Sequence, residues 1–180
     1  MVSCSPSPKA IENAIAQTQA VIPTPTIEPT PTQIPLTELD FSEVIFQAGD
    51  LPPGYEPAQI RSELGDITNI GLNPDNFFSQ SLSHNNKFGG IVDILVFEDL
   101  DLVKEAFLDI YQNMPGKPSL IDVGENARVA TSSLFVYTAS LTFIRCHVVV
   151  SMQFQDTLDD GSVISYAKRL DERLQPLVCR

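Results

Sequence analysis

Apolar residues become periodic only after about Leu36. From there Phe41, Val44, Ile45 and Ala48 recur at helical spacing, which predicts a short helix or turn over residues 39–48. Asp50-Leu51-Pro52-Pro53-Gly54-Tyr55 reads as a rigid turn, its prolines fixing φ and Gly54 free to take a positive one. Residues 59–69 are a weak strand candidate and 77–83 a better one. Residues 91–97, Ile-Val-Asp-Ile-Leu-Val-Phe, read as a buried strand. The polar, glycine-bearing stretch 84–90 between these runs predicts a hairpin.

Asp99 is positioned to cap a helix reaching about Met114, with Leu100, Val103, Ala106, Phe107, Ile110 and Tyr111 on one apolar face. Pro115-Gly116 stops it. Residues 121–127 read as a turn entering a strand. Three strand-like runs follow, at 127–132, 134–144 and 147–154, the last rich in valine and only weakly alternating. Asp160 or Ser162 then caps a final helix with Val163, Ala167, Leu170 and Leu174 inward and Pro176 at its end. Strand runs joined by tight turns favour antiparallel pairing. The fold class expected is α+β: a two-layer domain whose mostly antiparallel sheet is covered on one face by two amphipathic helices.

The segment before Leu36 has another character. Residues 22–36 repeat Pro-Thr, and half of the chain's 14 prolines fall before Leu36. Proline removes the backbone donor and fixes φ, so this stretch is expected to stay out of sheet and helix as an extended stalk of about 45 Å. Residues 8–20 can form a short helix with a narrow apolar face, Ser7 capping and Pro8 at its first position. Three regions result: an anchor or helical segment over 1–21, the stalk over 22–36 and a globular α+β domain over 37–180.

Composition narrows the function classes. The 180 residues carry a net charge of −12; Lys9, Glu12 and Glu28 are the charges before Leu36, so the remainder holds −11. That balance argues against binding nucleic acid or anionic lipid head groups. No stretch reaches the roughly 20 apolar residues of a membrane-spanning helix. The cysteines are Cys4, Cys146 and Cys179, without CxxC or Cys/His ligand spacing, which disfavours a structural zinc.

Met1-Val2-Ser3-Cys4-Ser5-Pro6-Ser7-Pro8, followed by an Ala/Gln-rich helix and a Pro/Thr stalk, resembles a bacterial lipoprotein just after its signal peptide. The resemblance implies Cys4 as the lipid anchor of a precursor, with Ser3 as the small residue before it; Met1 departs from the usual leucine, and the apolar leader is absent. Asp50-Leu-Pro-Pro-Gly54-Tyr55, Asp122-Val-Gly124-Glu-Asn-Ala127 and Phe143-Ile-Arg145-Cys-His-Val148-Val149-Val150 are similar to stretches of small extracytoplasmic lipoprotein domains. They are also similar to extracellular sensor domains of some bacterial Ser/Thr kinases. The resemblance implies a fold and a compartment outside the cytoplasm, and transfers no catalytic residue.

Cys146, at a hairpin corner, and Cys179, past the last helix, are the disulfide candidate; two free thiols are the alternative. Cys146 beside His147 lacks the geometry of a nucleophile and base. His84 reads as a solvated turn residue. Asp156, Asp159 and Asp160 lack the ligand alternation of a calcium loop, so capping explains them better. Tyr55, Phe77, Phe78 and Phe88 lie in or near loops and could line a contact site or tuck into the core. No catalytic, metal or cofactor motif is present, so neither metal nor cofactor is expected. The leading function is a non-enzymatic extracytoplasmic binding or sensor-like module tethered to the envelope, its ligand or protein partner unknown. Membrane contact is expected only through a lipid on Cys4. A structural subunit of an envelope complex and a hydrolase without recognised motifs are the alternatives.

Overall fold

The computed structural model describes residues 8, 9, 12, 34–62, 73–133, 137–155 and 159–179. Its contacts divide the chain into Met1–Gln33 and Ile34–Arg180. In the first unit Pro8, Lys9 and Glu12 are helical; Cys4 and most of the stalk lie outside the described residues. Leu36, the stalk's last residue, opens a 3-10 turn over Leu36–Glu38 and packs against the second unit's core.

The second unit is built on one seven-stranded sheet, ordered β1-β2-β3-β7-β6-β5-β4. The strands are β1 Tyr55–Arg61, β2 Asn76–His84, β3 Lys87–Val96, β4 Ser119–Ile121, β5 Asn126–Ser132, β6 Thr138–Arg145 and β7 Val148–Gln155. All six ladders are antiparallel. Helix α1, Leu100–Gln112, carries the chain from β3 to the far edge at β4; helix α2, Asp160–Val178, follows β7.

The α+β class and the antiparallel pairing hold, but the helices lie on opposite faces of the sheet and not on one. Side chains alternate across a strand, and in β7 Val148, Val150 and Met152 join the core with Val163, Ala167, Leu170 and Leu174 of α2. Val149 points the other way and packs with Phe77, Leu95 and Phe97 against Val103, Ala106 and Phe107 of α1. The continuous apolar runs of β3 and β7 are the cause. A strand buried on both faces needs no alternation, and each face must then be covered.

Several elements differ in detail. Residues 41–45 take the turn of the two alternatives, and Phe41, Val44, Ile45 and Phe46 are all buried beside α2. The β2–β3 loop shrinks to Asn85-Asn86, both with positive φ, which is what a two-residue primed turn demands. Asp159, and not Asp160 or Ser162, caps α2 by accepting from the Ser162 N–H at 2.8 Å. Pro176 sits inside the last turn and α2 continues to Val178. Asp99 caps α1 as expected, accepting from the Asp101 N–H at 2.8 Å.

Candidate functional site

The two sheet faces differ in chemistry. The α2 face is mainly apolar; its polar side chains Gln80 and Arg145 are committed, Gln80 to the Phe46 backbone and Arg145 to Asp171. On the α1 face the apolar row Phe77–Leu95–Val149–Ile144 lies across β2, β3, β7 and β6 within the α1 core. Two residues further along each strand the row turns polar. Cross-strand pairing aligns Arg61, Ser79, Asp93, Ser151, Thr142 and Arg128 over six adjacent strands. At about 4.8 Å per strand the two arginine Cα positions stand roughly 24 Å apart. The next row holds Ser81, Ile91, Gln153 and Ser140.

Asp93 is the one acidic group of this shelf. It is half-buried, and its Oδ1 has no hydrogen-bond partner among the described residues. Burial pushes its carboxyl up to about 6, a hydrogen bond from Ser79 only partly opposing the shift. Ser140 is 6% exposed, and its Oγ likewise lacks a partner among the described residues. Buried polar groups are nearly always paired, so these two orphaned atoms, both enclosed by the protein, set this face apart. The neighbours are committed differently. Thr142 donates to the Val150 carbonyl at 2.8 Å, and Ser81 donates to the Gln59 carbonyl at 3.1 Å. Arg128 bonds Asn126 and the Ala127 carbonyl while lying over the rings of Phe107 and Tyr111.

A β-bulge shapes one end of the shelf. Leu82 pairs with Gly90 and Ser83 with Phe88, leaving Gly89 unopposed. The extra residue turns Phe88 to the face of Ser79 and Ser81, where it is 50% exposed. Of the aromatics named as contact candidates, Tyr55, Phe77 and Phe78 are core residues and Phe88 alone is free. Gly90 has a packing role: a Cβ there would collide with the Gln153 carbonyl oxygen, so glycine lets β3 and β7 close up beneath the shelf.

No family model and no curated protein matches the chain. Among solved structures it is similar to the extracellular domain of PknH from Mycobacterium tuberculosis, at 11% identity and a TM-score of 0.46, over 78% of this chain and 93% of that one. No residue role is carried across from it.

The other sequence-singled residues fall elsewhere. Cys146 and Cys179 form a disulfide with Cα atoms 5.4 Å apart. Cys146 occupies the β6–β7 turn with φ +50°, and Glu125 accepts its N–H at 2.9 Å. Glu125, Cys146 and Cys179 are close enough to suggest a metal cluster, but the sulfurs are bonded to each other. The same bond leaves Cys146 no thiol for nucleophilic chemistry, and the His147 Nδ1 is engaged with the Phe97 carbonyl at 2.9 Å. His84 is no solvated turn residue. It stacks on Tyr55 at 4.4 Å between ring centroids because β1 pairs those two positions. Asp159 is a helix cap; Asp156 lies outside the described residues.

Two ion pairs fasten α2. Arg145 grips Asp171 through Nε at 2.6 Å and through Nη2, and Asp171 also accepts from the Gly124 N–H at 3.2 Å. Arg173 clasps both carboxylate oxygens of Asp50, at 2.6 and 2.8 Å. The Arg173 hydrogen bonds hold the Asp50 carboxyl below the usual range.

Proposed function

We propose that the chain is a non-enzymatic, extracytoplasmic binding module, sensor-like in kind, and that its ligand seats on the α1 face of the sheet at Asp93. The observation that carries this is the pair of orphaned polar atoms, Asp93 Oδ1 and Ser140 Oγ, on one polar shelf. An unpaired buried polar group costs about 1–3 kcal/mol, so a shelf holding two is stabilised by whatever satisfies them. The disulfide supports an oxidising compartment. No described helix is long and apolar enough to cross a membrane. Attachment to the envelope rests on the reading of Cys4 and the Pro/Thr stalk.

The test is thermal stabilisation of the whole chain by panels of oligosaccharides, polyamines, phosphates and short peptides. The reading expects one class to raise the Tm of the native protein and to leave an Asp93→Ala, Ser140→Ala variant unchanged. Stabilisation of both proteins alike points to a site elsewhere and contradicts it.

The assembly reading has one observation of its own. Leu120 is 72% exposed on β4, the short edge strand. If β4 joins a neighbouring subunit, Leu120→Glu abolishes a complex that light scattering detects in the native protein.

A further inference from the structure

We infer that the ligand of this shelf is a neutral polyhydroxylated chain, an oligosaccharide, lying along the row from Arg61 toward Ser151. The inference rests on the binding role proposed for the same shelf, and it comes from the order of charges along the row. Arg61 stands at one end and Arg128 at the other, with Asp93 between them; of the hydroxyls in the remaining places Ser79 and Thr142 are buried, and Ser151, half-buried, is the one open to a ligand. A cation suited to Asp93 meets an arginine two strands away. A polyanion suited to the arginines meets a desolvated carboxylate in the middle. A hydroxyl group has neither difficulty, since it donates to a carboxylate and accepts from a guanidinium or a serine.

The surroundings have the same character. Arg61 is exposed and donates to the Gln59 side-chain oxygen at 3.1 Å. Ser151 and Gln153 are half-buried, a hydroxyl and an amide that each both donate and accept. Phe88, re-aimed by the bulge, and Ile91 give apolar surface on the same face for the C–H side of a sugar ring. The row is longer than one ring, which suits a chain better than a single sugar.

The experiment is an array of immobilised neutral oligosaccharides, with linear glucose and N-acetylglucosamine oligomers among them, beside spermidine, polygalacturonate and a zwitterionic tetrapeptide. The native chain is compared with Asp93→Asn, Asp93→Ala and Ser151→Val, each checked for folding by circular dichroism. Expected is binding of a neutral oligosaccharide that falls about tenfold or more in Asp93→Ala and in Ser151→Val. Asp93→Asn keeps part of the affinity, because an amide oxygen still accepts from a hydroxyl; a cationic ligand would lose it. Binding only of spermidine, polygalacturonate or the peptide, lost in Asp93→Ala, overturns the ligand class and leaves the binding role standing. Binding of no probe overturns both. Oligosaccharide binding unchanged in all three variants places the sugar elsewhere and overturns the inference.

Discussion

A carboxylate in the middle of a sheet face gives up hydration that its neighbours only partly restore, and Asp93 shows the result in a carboxyl raised to about 6. The folded state then holds a proton that the unfolded chain has released at the ordinary value near 4. Stability therefore falls as pH rises between about 4 and 6, and the loss is complete above that window. Asp93→Asn, which keeps the shape and removes the charge, should be more stable than the native protein by about 1–3 kcal/mol at pH 7.5 and equal to it at pH 4. Calorimetry at the two pH values checks this, and equal melting points at pH 7.5 contradict it. Asp50 has the opposite sign. Its lowered carboxyl contributes stability above the ordinary value that is lost as pH falls through the lowered one. Asp50→Asn should narrow the difference in melting point between pH 7 and pH 3, since the substituted side chain has nothing to titrate.

Helix α2 closes the fold, and it is fixed at three places: Asp171 to Arg145, Arg173 to Asp50, and Cys179 to Cys146. The disulfide spans 33 residues, for which chain entropy predicts about 3–4 kcal/mol. Urea unfolding of a Cys146→Ser, Cys179→Ser variant should show a loss of that order with the strands retained; an unchanged midpoint would mean that the bond constrains nothing. Asp171→Asn should cost about 3 kcal/mol, because it strands a half-buried guanidinium. Most of these elements were legible in the sequence. The caps near Asp99 and Asp159, the strand runs and the Cys146 corner each have a local cause. Two features were not. The opposite placement of the helices depends on which face of β7 each one meets, and the Val148–Val150 run looks alike from both sides. β4 has three residues, and its pairing with β5 shows only in the assembled sheet.

At the scale of the molecule, topology makes the shelf. The α1 crossover from β3 to β4 must pass over β7, β6 and β5, and it covers the apolar end of that face. Beyond that row the face holds serine, threonine, aspartate and arginine. The candidate site was legible only in hindsight. A single Asp inside Ile-Val-Asp-Ile-Leu-Val-Phe is out of place in a buried strand, but its companions Ser79, Ser151 and Ser140 sit on other strands, and only the register brings them alongside. The remainder after residue 35 carries −11 of the net charge, yet this row has two arginines to one aspartate, so the shelf is the local exception to an acidic surface. The central claim is that the fold holds a desolvated, incompletely partnered carboxylate ready for a ligand. The measurement that reaches it most directly is the pH titration of the Asp93 side-chain carbonyl by carbon-13 NMR in the free protein. A midpoint at about 6 is the value expected. A midpoint at the ordinary aspartate value, near 4, would show a hydrated side chain and contradict the account.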